Sequence, residues 1–534
     1  MNRQLFAQLG TIIKFQIRQN RWRFMIWGIS LIFVTVLIAS AFTGLYQTDL
    51  ERQAIAETME NPAMTAMVGP GYGIDNYNNG AMMAHQMLLF TAIVFGIMSI
   101  LLTSRHTRAE EEDGQIELVR ALPVGRLTNL TATIIVLTGF NFLIGLVSGF
   151  SLFALQLEDI GLEGSLLYGF SLSAIGIFFV LFTAVFAQLS ESSRGTVGFS
   201  IGFLLLFYLM RAIGDVSSEA LALASPLGLV LRTEVYVNNI WWPLFVLLIQ
   251  FILLFFFAFY LNKIRDVGAG FLPSKAGKRN ATKSLLSPIG LNIRLQRTGI
   301  IAWAFAMFVL GISYGSVFGD LESFFANNDM LEQMLSSNTA YSLTEQFLTM
   351  LMVILAILST IPTLILLMRM KKEEKKGRTE HLISRSVSKY RLLFSYTVLA
   401  FVSSIVMLGL AILGIWLASA SVMEEPVAAG TFFEAGFIYL PAIWAMIGIG
   451  ITLLGIFPRA TSLIWLYVIY SFFTVYLGGL LDLPQWLLNL SVYGHIPQLP
   501  VENVEWFPLI VLVLITFALS IVGFTGFRKR DTLV

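Results

Sequence analysis

The sequence contains no cysteine, and it has few charged residues and few histidines. Without cysteine, neither a disulfide nor a thiolate metal site can form. The four histidines (His85, His106, His381 and His495) are scattered and predict no cluster of metal ligands. Charged residues make up 13% of the chain, against roughly 25% in soluble domains. We therefore expect no metal and no cofactor in this chain, and we exclude an ordinary soluble protein.

Apolar residues dominate the composition instead. They make up 56% of the chain, and the mean hydropathy is +0.77. A helix needs about 20 mostly apolar residues to cross a bilayer core of ~30 Å, and about twelve such runs recur. The chain is therefore predicted to be an all-α polytopic membrane protein. The predicted spans are residues 24–46, 82–104, 128–155, 166–189, 196–213, 241–262, 299–319, 345–368, 392–419, 433–456, 460–481 and 506–527.

Charge is distributed unequally between the two sides that these spans define. One side carries 31 of the 34 Lys and Arg residues and 11 of the 33 Asp and Glu residues. Short loops rich in Lys and Arg stay in the cytoplasm. This predicts a multi-pass protein of the cell membrane with both termini in the cytoplasm. The first apolar run is long and lacks a small-residue cleavage pattern, so we expect a retained span and not a signal peptide.

The second half of the sequence repeats the first. Arg18, Arg21 and Trp27 recur with the same mutual spacing as Arg294, Arg297 and Trp303, and further matches keep an offset of 263–276. The further matches are Arg194 with Arg459, Asp215 with Asp482, and Arg265-Asp266 with Arg530-Asp531. The sequence predicts a six-helix half at 1–266, a cytoplasmic linker at 267–289 and a second half at 290–534, both halves in one orientation.

Residues 2–23 are amphipathic and precede the first span. Leu5, Leu9 and Ile13 mark an apolar face, and basic residues mark another. Such a pattern indicates either a helix in the membrane interface or the ordinary positive flank of a span.

Two loops on the predicted outer side contain short apolar stretches, Ser225–Leu231 and Leu483–Leu490. Both are too short to cross the membrane. They are either re-entrant hairpins packed in protein or surface loops with one apolar face.

Two polar segments interrupt the spans and match each other. We call Arg105–Arg126 (RHTRAEEEDGQIELVRALPVGR) the first polar segment and Arg369–Arg391 (RMKKEEKKGRTEHLISRSVSKYR) the second. Each predicts a charged helix, which Pro123 and Gly125 end in the first copy. A solvated loop is one explanation, but the duplicated pattern favours a surface that contacts a partner. The candidate contact residues are Glu110, Glu111, Gly114, Glu117, Arg120, Glu373, Glu374, Gly377, Glu380 and Arg385.

The spans contain almost no ionisable residues away from their outer ends. The ionisable residues at or near the outer ends are His85, Arg211, Glu345, Glu434, Asp482 and Glu505. Ion-coupled transporters normally keep such residues deep in the bundle, and no phosphate-binding loop is present, since Leu272 stands where one would need glycine. We therefore expect a non-enzyme whose driving energy comes from another chain. An ion-coupled secondary transporter of 6+6 architecture and a lipid-modifying membrane enzyme remain alternatives.

Aromatic residues offer candidate walls for an apolar substrate. They are Phe199, Phe203 and Phe207 on the fifth span and Tyr470, Phe472 and Phe473 on the eleventh. The same helical spacing also suits ordinary packing.

Five segments carry a resemblance to a known family: RAEEEDGQIELVRALPVGR, RDVGAGFLPSKAG, SPIGLNIRLQRTGIIAW, LLDLPQWLLNLSVYGHIPQLP and GFRKRDTL. Together they resemble the permeases of type-2 ABC exporters, in particular the polyketide-antibiotic (tetronasin-resistance-like) branch. The resemblance extends over essentially the whole chain.

The resemblance implies a transport subunit that exports a hydrophobic or amphiphilic compound such as an antibiotic, a drug or a lipid. It implies interfacial helices at 2–22 and 285–297 and cytoplasmic coupling helices at 105–122 and 370–386. It also implies a separate ATPase, in two copies per permease, that binds ATP and Mg²⁺ and contacts the coupling helices through the candidate residues above. Neither nucleic acid nor a catalytic site is implied.

Overall fold

The computed structural model describes residues 2–46, 48, 52–53, 55–56, 59, 62–266, 268–272, 279–320, 342–385, 387–423, 426–477 and 484–531. These residues belong to two compact units, Met1–Ala276 and Gly277–Val534. Within the described residues the regular secondary structure is helical, apart from an isolated β-bridge between Ser190 and Leu272.

The long helices follow the apolar runs of the sequence, and we number them α1 to α12 in chain order. The first unit contains α1 (Leu9–Leu45), α2 (Asn79–Ser104), α3 (Thr128–Ala154), α4 (Leu162–Leu189), α5 (Ser193–Ser217) and α6 (Trp242–Ile264). The second contains α7 (Pro288–Gly315), α8 (Leu343–Lys375), α9 (Lys389–Val422), α10 (Leu440–Ile456), α11 (Leu463–Leu477) and α12 (Trp506–Lys529).

Short helices connect or extend the long ones. The α-helical pieces are Asn2–Leu5, Pro62–Val68, Glu110–Glu112, Gln115–Arg120, Glu219–Leu223, Pro226–Leu231, Arg378–Ile383, Ala429–Phe437 and Gln485–Leu488. The 3₁₀ pieces are Ile74–Asn76, Lys283–Leu286, Ser316–Asp320, Pro458–Ser462 and Val492–His495, and Arg105–Ala109 is a π-helical turn.

Eleven helical stretches in the described part of the chain are long and apolar enough to cross a membrane. They correspond to α1–α10 and α12, with α10 counted together with Ala429–Phe437 before it. The eleventh predicted span, 460–481, is described only as far as Leu477, and its last residues lie outside the described part. The all-α polytopic membrane fold is confirmed, whereas the tandem repeat of six-helix halves stays a prediction.

Each unit has a central helix that is mostly buried by the other helices of that unit. In the first unit α4 is the most buried helix and α2 is second, and in the second unit α8 is the most buried. The peripheral helices α1, α5, α6, α7 and α12 expose most of their apolar side chains, as lipid-facing helices do. Glycines let neighbouring helices of a unit approach closely: Gly145 of α3 meets the backbone of Gly169 in α4, and Gly455 of α10 meets the backbone of Gly523 in α12.

The N-terminal segment differs from the predicted interfacial helix. After the short helix Asn2–Leu5, Gln8 adopts a left-handed conformation, and α1 then runs without a break from Leu9 through the predicted span. Its polar side chains Gln16 and Asn20 are buried, and Gln16 donates hydrogen bonds to Asn129 and Thr133 of α3, at 3.2 and 3.0 Å. No proline interrupts this segment, so the helix continues and its polar stripe packs on protein.

The second unit repeats this arrangement where 285–297 is the predicted interfacial helix. Ser287 caps α7, whose 28 residues run without a break from within that segment into the following predicted span, as far as Gly315. Asn292 and Gln296 are buried here, and their amides contact the backbone carbonyls of Ser395 and Leu366. Both units therefore pack buried amide side chains of this segment against neighbouring helices, and its position in the membrane interface stays a prediction.

The two apolar loop stretches have different environments. All six residues of Pro226–Leu231 are buried, and four of them belong to the core of the first unit. This stretch is a short helix packed in protein. In the second unit Trp486 and Leu490 are mostly exposed, so that stretch is a surface loop, and Leu483 lies outside the described residues.

Candidate functional site

Each polar segment forms a hairpin of two helical limbs and not the single helix that the sequence predicts. The first limb continues α2 through the π-helical turn Arg105–Ala109 to Glu112, and the second limb is Gln115–Arg120. Gly114 joins them with φ 72°, a left-handed conformation that glycine adopts without strain and that commonly ends helices. Helical periodicity alone missed this turn, although the Asp113-Gly114 pair signals it.

The second polar segment is built in the same way. Here α8 extends to Lys375, Gly377 has φ 68°, and the second limb is Arg378–Ile383. The limbs start and end 263 residues after their counterparts in the first polar segment. The duplicated glycine thus fixes the same turn twice.

The glutamates of the first limbs are mostly turned inward. The Glu111 carboxylate, 5% exposed, lies 2.9 Å from the guanidinium of Arg265 and 3.0 Å from that of Arg108, and it accepts a hydrogen bond from the Gly268 amide at 2.6 Å. Arg108 is itself buried and donates to the carbonyls of Gly268 and Ala269, at 2.8 and 3.0 Å. Glu111 therefore joins the first polar segment to the chain just beyond α6.

In the second unit Glu374 pairs with Arg530, which matches Arg265 in the sequence repeat. Its carboxylate is 1% exposed and receives two parallel hydrogen bonds from Arg530, at 2.7 and 2.8 Å. Its neighbour Glu373 is also buried and pairs with Arg369 and Arg378, at 3.1 and 3.0 Å. Arginines of the same chain therefore bind the carboxylates of Glu111, Glu373 and Glu374, and contact of these residues with a partner protein stays a prediction.

The remaining limb contacts are local. Glu110 is half-buried and lies 2.9 Å from Nδ1 of His106. The π-helical turn leaves the His106 carbonyl to accept hydrogen bonds from Asn129 and Thr133 of α3, at 3.3 and 3.4 Å. This turn has no counterpart in the second polar segment, where α8 stays α-helical to Lys375.

The candidate residues that face outward lie on the second limbs or, for Arg385, just after one. Glu117 and Arg120 are exposed in the first polar segment, and Glu380 and Arg385 are exposed in the second. One side chain on each limb is buried beneath them, Ile116 in the first and Thr379 in the second. Each limb is therefore seated on the protein while its outer face stays open.

The exposed faces of the two hairpins differ in chemistry. Leu118 and Leu122 are 75% and 61% exposed in the first polar segment. The positions 263 residues later are His381 and Arg385, both exposed. One hairpin thus presents an apolar patch beside its charges, and the other presents polar and basic groups.

The predicted aromatic wall of the first unit forms a cluster of rings. Phe203 of α5 lies between Phe182 and Phe186 of α4, with ring centroids 5.4 and 5.3 Å away. Phe199 stacks on Phe186, and Phe207 packs on Phe182. This cluster leaves Phe199 and Phe203 partly exposed on the bundle surface.

The corresponding residues of α11 make separate contacts. The Tyr470 hydroxyl donates to the carbonyl of Leu487, and the rings of Phe472 and Phe473 pack against each other at 6.2 Å. Phe473 is half exposed. A role of either group in a substrate route stays a prediction.

A buried arginine, Arg211, lies at the end of the first unit away from the polar segment. The sequence identifies this residue but not the groups that it binds. The Arg211 side chain is 0% exposed and pairs with Asp215 at 3.2 Å. Its guanidinium also donates to the carbonyls of Ala66 and Met67, at 2.7 and 3.2 Å, and so caps the helix Pro62–Val68. The i, i+4 spacing of Arg211 and Asp215 was the available signal.

A second arginine extends this polar cluster. Arg232 lies 3.8 Å from Asp215 and donates to the hydroxyl of Tyr72. Burial raises the pKa of Tyr72 to about 12, so the phenol stays neutral at physiological pH. The cluster therefore joins α5, the loop before α2 and the end of the buried short helix Pro226–Leu231.

Comparisons with known proteins agree with this architecture. The family model for the C-terminal domain of the multidrug efflux system permease Rv1217c matches residues 9–261 and 285–528. The multidrug efflux system permease protein Rv1217c of Mycobacterium tuberculosis (strain ATCC 25618 / H37Rv) is 31% identical over 529 residues, which cover 97% of this chain and 94% of that protein.

Proposed function

The chain belongs to the family of multidrug efflux system permeases that this model describes, and from that premise we propose that it is the membrane subunit of an ATP-driven exporter. Its cargo is a hydrophobic or amphiphilic compound, such as an antibiotic, another drug or a lipid-like molecule. A separate ATPase binds ATP and Mg²⁺ and supplies the energy. Two copies of that ATPase serve one permease chain.

The observation that carries this proposal is the duplicated hairpin with an open outer face. Its turn is set twice by a left-handed glycine, and its second limb is held from below by a buried side chain. A solvated loop needs neither feature. A docking site needs both, because an ordered surface loses less conformational entropy when a partner binds.

The outward residues define the proposed ATPase contacts. These are Glu117 and Arg120 with Leu118 and Leu122 in the first polar segment, and Glu380 and Arg385 in the second. Closure of the ATPase dimer upon ATP binding displaces the second limbs. Because the first limbs continue α2 and α8, the displacement reaches two helices at the centres of their units.

Charge reversal on the docking surface tests the proposal. We expect Glu117→Lys and Glu380→Lys together to lower the amount of ATPase that co-purifies with the tagged permease at least about tenfold, which corresponds to about 1.4 kcal/mol. ATP-dependent drug uptake into inverted vesicles should fall in parallel. The control variant carries Glu158→Lys and Glu502→Lys, the same charge change at two exposed carboxylates outside the long helices and outside the polar segments.

Two results would overturn the proposal. One is unchanged ATPase binding in the Glu117→Lys, Glu380→Lys variant. The other is drug transport by the purified permease alone, driven by a proton or sodium gradient in vesicles without ATP, which would assign the chain to the secondary transporters.

A further inference from the structure

In each unit a buried ion pair connects the polar segment to the residue after the last long helix. Arg265 follows α6 and Arg530 follows α12. Their partners Glu111 and Glu374 lie near the ends of the first limbs, 154 and 156 residues earlier in the chain. The side chains of all four are at most 14% exposed.

The backbone of the same arginines is held as well. The carbonyl of Arg265 accepts a hydrogen bond from the guanidinium of Arg126 at 2.8 Å. The carbonyl of Arg530 accepts one from the ammonium of Lys389 at 2.6 Å. Each arginine thus binds one residue before and one residue after the hairpin turn, and both units use equivalent positions for this.

The first unit adds contacts around its pair. Arg108 and Glu111 together bind the amide of Gly268 and the carbonyls of Gly268 and Ala269. The Leu272 amide donates to the carbonyl of Leu189 at 2.8 Å. The chain that leaves α6 is therefore fixed to the first polar segment and to the end of α4.

Stability alone does not account for these pairs. Apolar residues of similar size often replace a buried ion pair without loss of stability, because desolvation offsets the attraction between the charges. An ion pair adds a fixed geometry, because its charge-assisted hydrogen bonds hold two segments at one distance and one angle. Arg530 forms two such parallel bonds with Glu374. A rigid connection of this kind passes a displacement from one segment to the other.

We propose that the pairs Glu111–Arg265 and Glu374–Arg530 are positioning residues that transmit the displacement of each polar segment to α6 and to α12. The inference rests on the proposed function, since it takes an ATPase to be the source of the displacement. It adds a second route for the movement, because the hairpin then moves the last helix of its unit together with the helix that it continues.

The test separates ATPase binding from the use of ATP. We expect Arg265→Gln and Arg530→Gln to lower the melting temperature of the permease, because each leaves a buried carboxylate without this arginine. ATPase co-purification with the folded protein should stay close to that of the unmodified protein. Drug transported per ATP hydrolysed should fall about tenfold, which is within the range for weakening one link of a coupling network. Exchange of the charges, Glu111→Arg with Arg265→Glu and Glu374→Arg with Arg530→Glu, should restore part of the ratio.

The possible outcomes are distinguishable. An unchanged ratio of transport to hydrolysis in the Arg265→Gln, Arg530→Gln variant overturns this inference, while the proposed function survives if Glu117→Lys and Glu380→Lys still weaken ATPase binding. Loss of ATPase binding in the Arg→Gln variant also overturns it, because the pairs would then only shape the docking surface. If the Arg→Gln and charge-exchange variants both fail to fold, the pairs are structural only and the inference is wrong.

Discussion

At the scale of single residues, the structure shows how a mostly apolar chain accommodates the few charges that it buries. Arg211, Arg265 and Arg108 are all nearly inaccessible, and each is surrounded by a carboxylate and by backbone carbonyls. An unpaired buried charge would cost several kcal/mol, so these partners are required for the side chains to remain where they are. Removing one partner of such a pair should therefore have a large effect.

We expect Arg211→Gln to lower the free energy of unfolding by about 3 kcal/mol, the lower end of the range for breaking a buried ion pair. The change leaves Asp215 with only the more distant Arg232 and leaves the carbonyls at the end of Pro62–Val68 without their donor. Unfolding by SDS in mixed micelles measures the effect. Arg194→Gln is the matched control, since Arg194 is exposed at the other end of the same helix, and it should change stability by less than about 0.5 kcal/mol.

Equal effects of the two substitutions would contradict this interpretation of Arg211. A larger loss for Arg211→Gln than for Asp215→Asn would support it further, because the arginine holds both the carboxylate and the carbonyls.

At the scale of elements, the hairpins depend on one backbone angle each. A residue other than glycine with φ near +70° costs roughly 1–2 kcal/mol, and no atom lies within 4 Å of a methyl group added at Gly114 or Gly377. A substitution there therefore acts through the backbone alone and leaves packing unchanged.

We expect Gly114→Ala and Gly377→Ala to destabilise the hairpins by about 1 kcal/mol each and to increase hydrogen exchange in the second limbs. Asparagine tolerates the left-handed region, so Gly114→Asn and Gly377→Asn should have smaller effects. Gly139→Ala serves as the control, because Gly139 lies within a helix with the same open surroundings and alanine is favoured there by roughly 0.5–1 kcal/mol. Equal exchange in Gly114→Ala and in the control would show that the turn does not order the hairpin.

The long helices could be predicted from the sequence more fully than the hairpins. The span predicted at 128–155 forms α3, Thr128–Ala154, because membrane thickness and apolar composition together set where such a helix begins and ends. The turn at Gly114 depends on the φ angle of one residue. The spacing of apolar residues along a helix does not predict that angle. Charge on a helix predicts exposure by default, so Glu111 was expected at the surface.

The partner of Glu111 could not be predicted from the sequence. Arg265 is 154 residues away from Glu111, and a single sequence contains no distance information at that separation. The matched positions of Glu111 with Glu374 and of Arg265 with Arg530 were visible as repeats, but nothing in their spacing pairs the acid with the base. For the same reason the exposed Glu117 and the buried Glu111 had equal standing as partner contacts.

At the scale of the whole molecule, the two polar segments combine the same backbone with different surfaces. The buried ion pair and the glycine turn recur at matching positions. The exposed positions Leu118 and Leu122, however, become His381 and Arg385. Apolar contacts are insensitive to salt, whereas attraction between exposed charges is screened within about 10 Å at 0.1 M salt and about 3 Å at 1 M. Two identical ATPase copies would therefore be held by different forces.

This difference predicts that salt removes one ATPase copy before the other. With nucleotide-free ATPase, we expect about two copies per permease at roughly 0.1 M salt and about one at roughly 1 M, as measured by native mass spectrometry. Leu118→Ser with Leu122→Ser should remove the copy that survives high salt, and Arg385→Glu should remove the other at low salt. Simultaneous loss of both copies as salt rises would show that the two surfaces bind alike, and the exposed leucines would then have no part in docking.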